Sequence, residues 1–130
     1  MVVVLQNAIN EGAMLTHVAN DAKAERDVWV YRSYVALKEY SVVLDEVPPS
    51  AEGPIACVRT LAHYMSDKEA NRDAALKAVQ AWMADAALQE NDAACVIAAN
   101  IYNHEHDFAS ALRCVRHATL AQCVCYWPLL

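Results

Sequence analysis

The chain has 130 residues, with sixteen acidic against ten basic side chains for a net charge of −6, and no Lys/Arg cluster, which argues against a nucleic-acid footprint. Only two glycines and four prolines interrupt an alanine-rich sequence, so long helices with short connections are expected and a sheet is not. There is no run of about 18 apolar residues, so no transmembrane helix is expected; the opening MVVVLQNAIN lacks the basic segment and long apolar core of a signal peptide, so the cytosol is the expected compartment.

Seven helices are predicted in chain order. The first covers Val2 to Ile9, or reaches Ala19 if Gly12 does not stop it. After the polar stretch Asn20–Lys23, a helix over Ala24–Leu37 places Val28, Tyr31, Tyr34 and Val35 on one face. A shorter helix over Glu39–Val47 ends at Pro48-Pro49, which cannot continue it. Ser50 is the expected N-cap of the next helix, which runs through Asp67 with Pro54 in its first turn and a stripe of Ile55, Val58, Leu61, Ala62 and Met65. A long helix then starts between Lys68 and Asp73 and continues to about Leu88, its inner face being Leu76, Val79, Trp82, Met83 and Ala86. Glu90–Asn103 and Asp107–Thr119 form the last pair, with Asp107 as N-cap. The helical domain is thus assigned to residues 1–118, and residues 119–130 form an uncharged apolar tail that fits no clear helix.

One pattern occurs twice, at Asp27–Val47 and at Cys95–Val115, 68 residues apart. In this register Val28 matches Val96, Tyr34 matches Tyr102, Tyr40 matches Phe108, Leu44 matches Leu112 and Val47 matches Val115. Since 68 is twice 34, the spacing resembles that of the tetratricopeptide repeat, a helix–turn–helix unit that stacks into a solenoid. The expected fold is therefore all-α, a right-handed α-α superhelix of about three helix pairs. In the second copy Ala99 and Ala111 are the small residues that let helices cross closely, Tyr102 and Phe108 fill the space between them, and Leu112 is the packing partner. The intervening segment, Pro54–Ala87, does not keep the phase.

Chemistry-bearing motifs are sparse. There is no nucleophile–base motif, phosphate-binding glycine loop or cofactor fingerprint, so no enzyme, cofactor or resident metal is expected. His104 and His106, with Cys123 and Cys125, are the residues a zinc site would use; their spacing lacks the paired order of structural zinc sites. The five cysteines are odd in number and lie on helix-patterned segments, which reads as reduced thiols. His17, His63 and His117 lie on helical segments without an acidic, Cys or Ser residue at a catalytic spacing, and read as solvated or core-edge histidines. Trp29, Tyr31, Tyr34 and Tyr40 read as inter-helix packing rather than a ligand box. A general co-chaperone-like adaptor needs Lys and Asn in the repeat groove. Asn100 suits that role, but Arg32 stands where the second Asn belongs and Val28 and Val96 where Lys belongs, so Arg32 and Asn100 are the groove candidates of an otherwise apolar surface.

The block Glu25-Arg26-Asp27-Val28, Tyr31-Arg32-Ser33-Tyr34-Val35-Ala36 and Tyr40-Ser41-Val42-Val43-Leu44-Asp45-Glu46 resembles the N-terminal region of the coatomer epsilon family, part of the COPI vesicle coat. The similarity continues through Val58-Arg59, Leu61-Ala62, Tyr64, Ala98-Ala99-Asn100-Ile101-Tyr102 and Ala111-Leu112-Arg113, and is weaker over Leu5–Asn10. After Arg113 it is not apparent, and the chain looks like a truncated member. The resemblance implies a non-enzymatic coat subunit that binds the C-terminal region of the coatomer alpha subunit in retrograde Golgi-to-ER and intra-Golgi transport, cytoplasmic and peripheral on Golgi membrane and coated vesicles. The alternative is a general tetratricopeptide-type adaptor. Apolar residues at Val2–Leu5 and in the tail are expected to be exposed, as unpartnered solenoid ends are.

Overall fold

Gly12 does not end the first helix: α1 runs over Val2–Met14 and buries Ile9 and Gly12 against α2. The chain is described by a computed structural model over residues 2–15 and 19–116. It divides into two units, residues 1–65 and residues 66–130. Among the described residues there are eight helices and no strand, as the all-α expectation requires. His17, His117 and the tail at 119–130 lie outside the described residues.

In the first unit α2 spans Asn20–Ala36, so the polar stretch Asn20–Lys23 is the first turn of the helix rather than a linker. Its backbone closes by the Lys23 N–H donating to Ala19 O (2.8 Å), with no side-chain cap. Asn20, Ala22 and Lys23 are exposed, and polar side chains facing water do not oppose a helix. α3 is Tyr40–Glu46 and packs on α2. α4 is Pro54–Ser66. Ser50 does not cap it. Gly53 turns the chain with φ +73°, a conformation that favours glycine, and Pro54 takes the first helical position, where its missing N–H has no bond to lose. Cys57, Val58, Leu61, Ala62 and Tyr64 of α4 are buried, and Arg59 Nε donates to Val47 O (2.9 Å), tying α4 to the end of α3.

In the second unit every helix among the described residues starts on an Asx cap. Asp67 accepts from Ala70 N (3.1 Å) ahead of α5, Lys68–Ala84. The expected continuation to Leu88 is broken at Asp85, whose extended backbone and carboxylate, accepting from Ala87 N (2.9 Å), open a separate short helix α6, Ala86–Gln89. A side chain that satisfies a local N–H offers the backbone an alternative to the helix, and here it wins. Asn91 caps α7, Asp92–His104, and Asp107 caps α8, Phe108–Val115, accepting from Ser110 N (3.1 Å). α7 is buried on all sides from Ala94 to Tyr102, which its three alanines in that run allow, and it packs on α5, α6 and α8.

Candidate protein-interaction surface

The two copies of the repeat carry the same backbone device. α2 ends with Glu39 N–H donating to Tyr34 O (2.9 Å) and Lys38 N–H to Val35 O (3.0 Å). α7 ends with Asp107 N–H donating to Tyr102 O (3.0 Å) and His106 N–H to Asn103 O (3.1 Å). Each is a Schellman motif, and each places a non-glycine residue in the left-handed region, Lys38 at φ 65° and His106 at φ 62°. Lys38 and His106 are also 68 residues apart, so the sequence echo is an echo of hydrogen bonding. Two helix hairpins, α2–α3 and α7–α8, result.

The groove candidates lie inside these hairpins. Arg32 is 2% exposed, its guanidinium 4.5 Å above the centroid of the Trp29 ring, and Asn100 is 4% exposed. Both side chains are buried. Val28 and Val96, at the places where an acidic-peptide clamp needs lysine, are buried too. Asn100 Oδ1 has no hydrogen-bond partner among the described residues.

The histidine pair is divided by the α7–α8 turn. His104 is half-buried with Nδ1 3.2 Å from Lys68 Nζ. Burial, and after it the Lys68 charge, hold its pKa below the ordinary 6.5 against the opposing pull of Glu105. His106 is exposed and meets the Phe108 ring edge-on at 5.9 Å. Among the described residues no group of three His, Cys, Asp or Glu side chains could hold a metal, and Cys123 and Cys125 lie outside them. Cys57, Cys95 and Cys114 are buried and form no disulfide.

Two residues depart from their expected packing. Phe108, expected to fill the space between helices, is 56% exposed, and Leu112, its expected partner, is 69% exposed. Their counterparts Tyr40 and Leu44 are half-buried. The first unit continues into α4, tied to the end of α3; among the described residues no helix follows α8. Val2, Val3 and Val4 are exposed, as expected, and so are Met14 and Leu15, whereas Leu5 is half-buried rather than exposed.

A cleft absent from the sequence reading opens in the second unit beside α8. It has a volume of about 450 Å³ and is lined by Met83, Gln89, Cys95, Tyr102, Ser110, Arg113, Cys114 and Arg116. The signal for it was Arg113 and Arg116, one helical turn apart, at the end of a helix whose apolar face was already evident.

The sequence matches the profile of the family described as coatomer epsilon subunit over residues 4–125. The match runs past Arg113, where the resemblance had ceased to be apparent, and takes in Cys123 and Cys125. The chain is 34% identical over 108 residues to coatomer subunit epsilon-2 of Arabidopsis thaliana, covering 83% of this chain and 36% of that protein. It is 38% identical over 93 residues to coatomer subunit epsilon-2 of Oryza sativa subsp. indica, covering 72% and 31%. It is 35% identical over 100 residues to coatomer subunit epsilon of Dictyostelium discoideum, covering 74% and 33%. The chain thus spans about a third of the length of the curated relatives it matches.

Proposed function

This chain belongs to the coatomer epsilon subunit family, and from that premise we propose that it is a non-enzymatic structural subunit of the COPI vesicle coat. The observation that carries the reading is the family match from residue 4 to residue 125, joined to paired helices that repeat their terminating hydrogen bonds. The partner in this reading is the C-terminal region of the coatomer alpha subunit, and the process is retrograde Golgi-to-ER and intra-Golgi transport. The chain acts from the cytoplasm and reaches Golgi membrane and coated vesicles only through the coat. Among the described residues no helix is long and apolar enough to cross a membrane, which suits peripheral attachment. The exposed apolar side chains Phe108 and Leu112 give an all-helical scaffold something to present to another protein. A co-chaperone-like adaptor has less support, because positions 28 and 96 hold buried valines in place of clamp lysines.

The test is co-purification with the alpha subunit's C-terminal region, using this chain and a chain extended to the length of its relatives. A stoichiometric complex is expected. Failure of both chains to bind, with circular dichroism showing both to be helical, would sink the proposal.

A further inference from the structure

The cleft beside α8 differs from its surroundings in charge. The chain carries a net charge of −6, yet the described residues lining the cleft include two arginines and no carboxylate. Its apolar part is Met83, Tyr102, Cys95 and Cys114, with Cys114 Sγ 3.6 Å from Met83 Sδ and the Cys95 thiol donating to Gln89 O (3.1 Å). Burial, aided by the nearby Cys95, pushes the Cys114 thiol up to about 11, and burial raises the Tyr102 phenol as well. Asp107 is the carboxylate nearest in sequence to the two arginines, and it is engaged in capping α8 through Ser110 N. Arg113 and Arg116 are both exposed, with Arg113 Nη2 donating to Ser110 Oγ (3.2 Å), so their guanidinium groups stand at the mouth rather than in the floor.

We propose that this cleft docks a short acidic segment of a protein partner, one apolar side chain packing over Met83, Tyr102 and Cys114 while flanking carboxylates pair with Arg113 and Arg116. The volume, about 450 Å³, lies at the lower end of ordinary ligand sites and admits one large side chain with its adjoining backbone. A guanidinium donates two parallel hydrogen bonds to a carboxylate, which a hydrated ammonium does not, and this suits arginine rather than lysine at the mouth. A bare anion would leave the apolar floor uncovered, and an uncharged apolar segment would leave two cations unmatched. The site is separate from the coat reading above and stands or falls without it.

The experiment is fluorescence anisotropy with the full chain and a fluorescein-labelled decapeptide holding one central leucine flanked by glutamates. Saturable binding is expected, weakening as salt is raised. The variant R113E/R116E should lose at least about tenfold in affinity, and R116E alone a smaller factor. A peptide with the leucine changed to serine should also bind at least about tenfold more weakly. Both arginines are exposed, and circular dichroism would confirm that the variants keep their helices. Equal binding of the serine peptide, or equal binding by R113E/R116E, overturns the proposal. It is likewise overturned if the full chain ignores the probe while cross-links join the cleft to residues 117–130, or if R113E/R116E abolishes dimerisation instead of peptide binding. In those cases the occupant is the chain's own tail or a second copy.

Discussion

Gly12 of α1 lies so close to Val30 of α2 that a Cβ at position 12 would overlap the Val30 Cγ2 atom. A residue that reads as a helix breaker is a point of close approach between two packed helices. Val30 is β-branched and stiff, so it has little room to yield.

Gly12→Ala is therefore expected to destabilise the protein by about 1–3 kcal/mol, although alanine is the better helix former. The pair G12A/V30A should recover most of the loss, because the second change removes the opposing methyls. Urea unfolding of the three variants measures both effects. An increase in stability for G12A alone would show that the two helices are not in contact at this point.

Lys38 holds a left-handed conformation that costs an L-residue about 1–2 kcal/mol. Its side chain is exposed, so Lys38→Gly should raise stability by about 0.5–1 kcal/mol after the greater freedom of glycine in the unfolded chain is subtracted. His106→Gly should give a smaller gain, since it also removes the edge contact with Phe108. Calorimetry on both variants checks the ranking.

His104 makes stability depend on pH in a defined direction. Its folded pKa is depressed, so the unfolded chain binds the proton more readily below the ordinary 6.5. Its contribution is fully present above pH 6.5 and is lost as the pH falls toward the lowered folded value. Urea unfolding across pH 7.5 to 5 should show a decline for the native chain that is shallower in His104→Asn. Parallel curves would mean that His104 is solvated and independent of Lys68.

Phe108 and Leu112 present apolar surface on α8 without being buried. F108Q/L112Q should change stability by less than about 0.5 kcal/mol while reducing self-association at high concentration. Analytical ultracentrifugation and thermal unfolding together distinguish this from a core role. A loss of several kcal/mol would place both side chains in the packed interior.

Much of the architecture is legible from local chemistry. Pro48-Pro49 marks the end of α3, Asp107 marks the start of α8, and the 68-residue register identifies Lys38 and His106 as equivalent before their dihedrals are known. Other boundaries are not legible. Asn20–Lys23 looks like a linker because its polarity is indistinguishable from that of an exposed helical turn. Asp85 looks like an ordinary helical residue until its carboxylate is seen on Ala87 N. The candidate surface is less legible still. Arg32 and Asn100 have the chemistry of groove residues, but burial is a property of neighbours that the local pattern does not contain.

By itself the sequence determined that the chain is helical, where most helices stop, that two hairpins repeat at a fixed interval, and which family the chain resembles. Each follows from interactions a few residues in range, namely apolar spacing, caps and breakers, or from residue order alone. Only the tertiary structure decided that Gly12 is a crossing point, that Arg32 and Asn100 are interior, that Phe108 and Leu112 are exposed, and that Met83, Tyr102, Cys114 and two arginines share a cleft. Those facts depend on contacts between helices distant in sequence, and close packing settles them residue by residue.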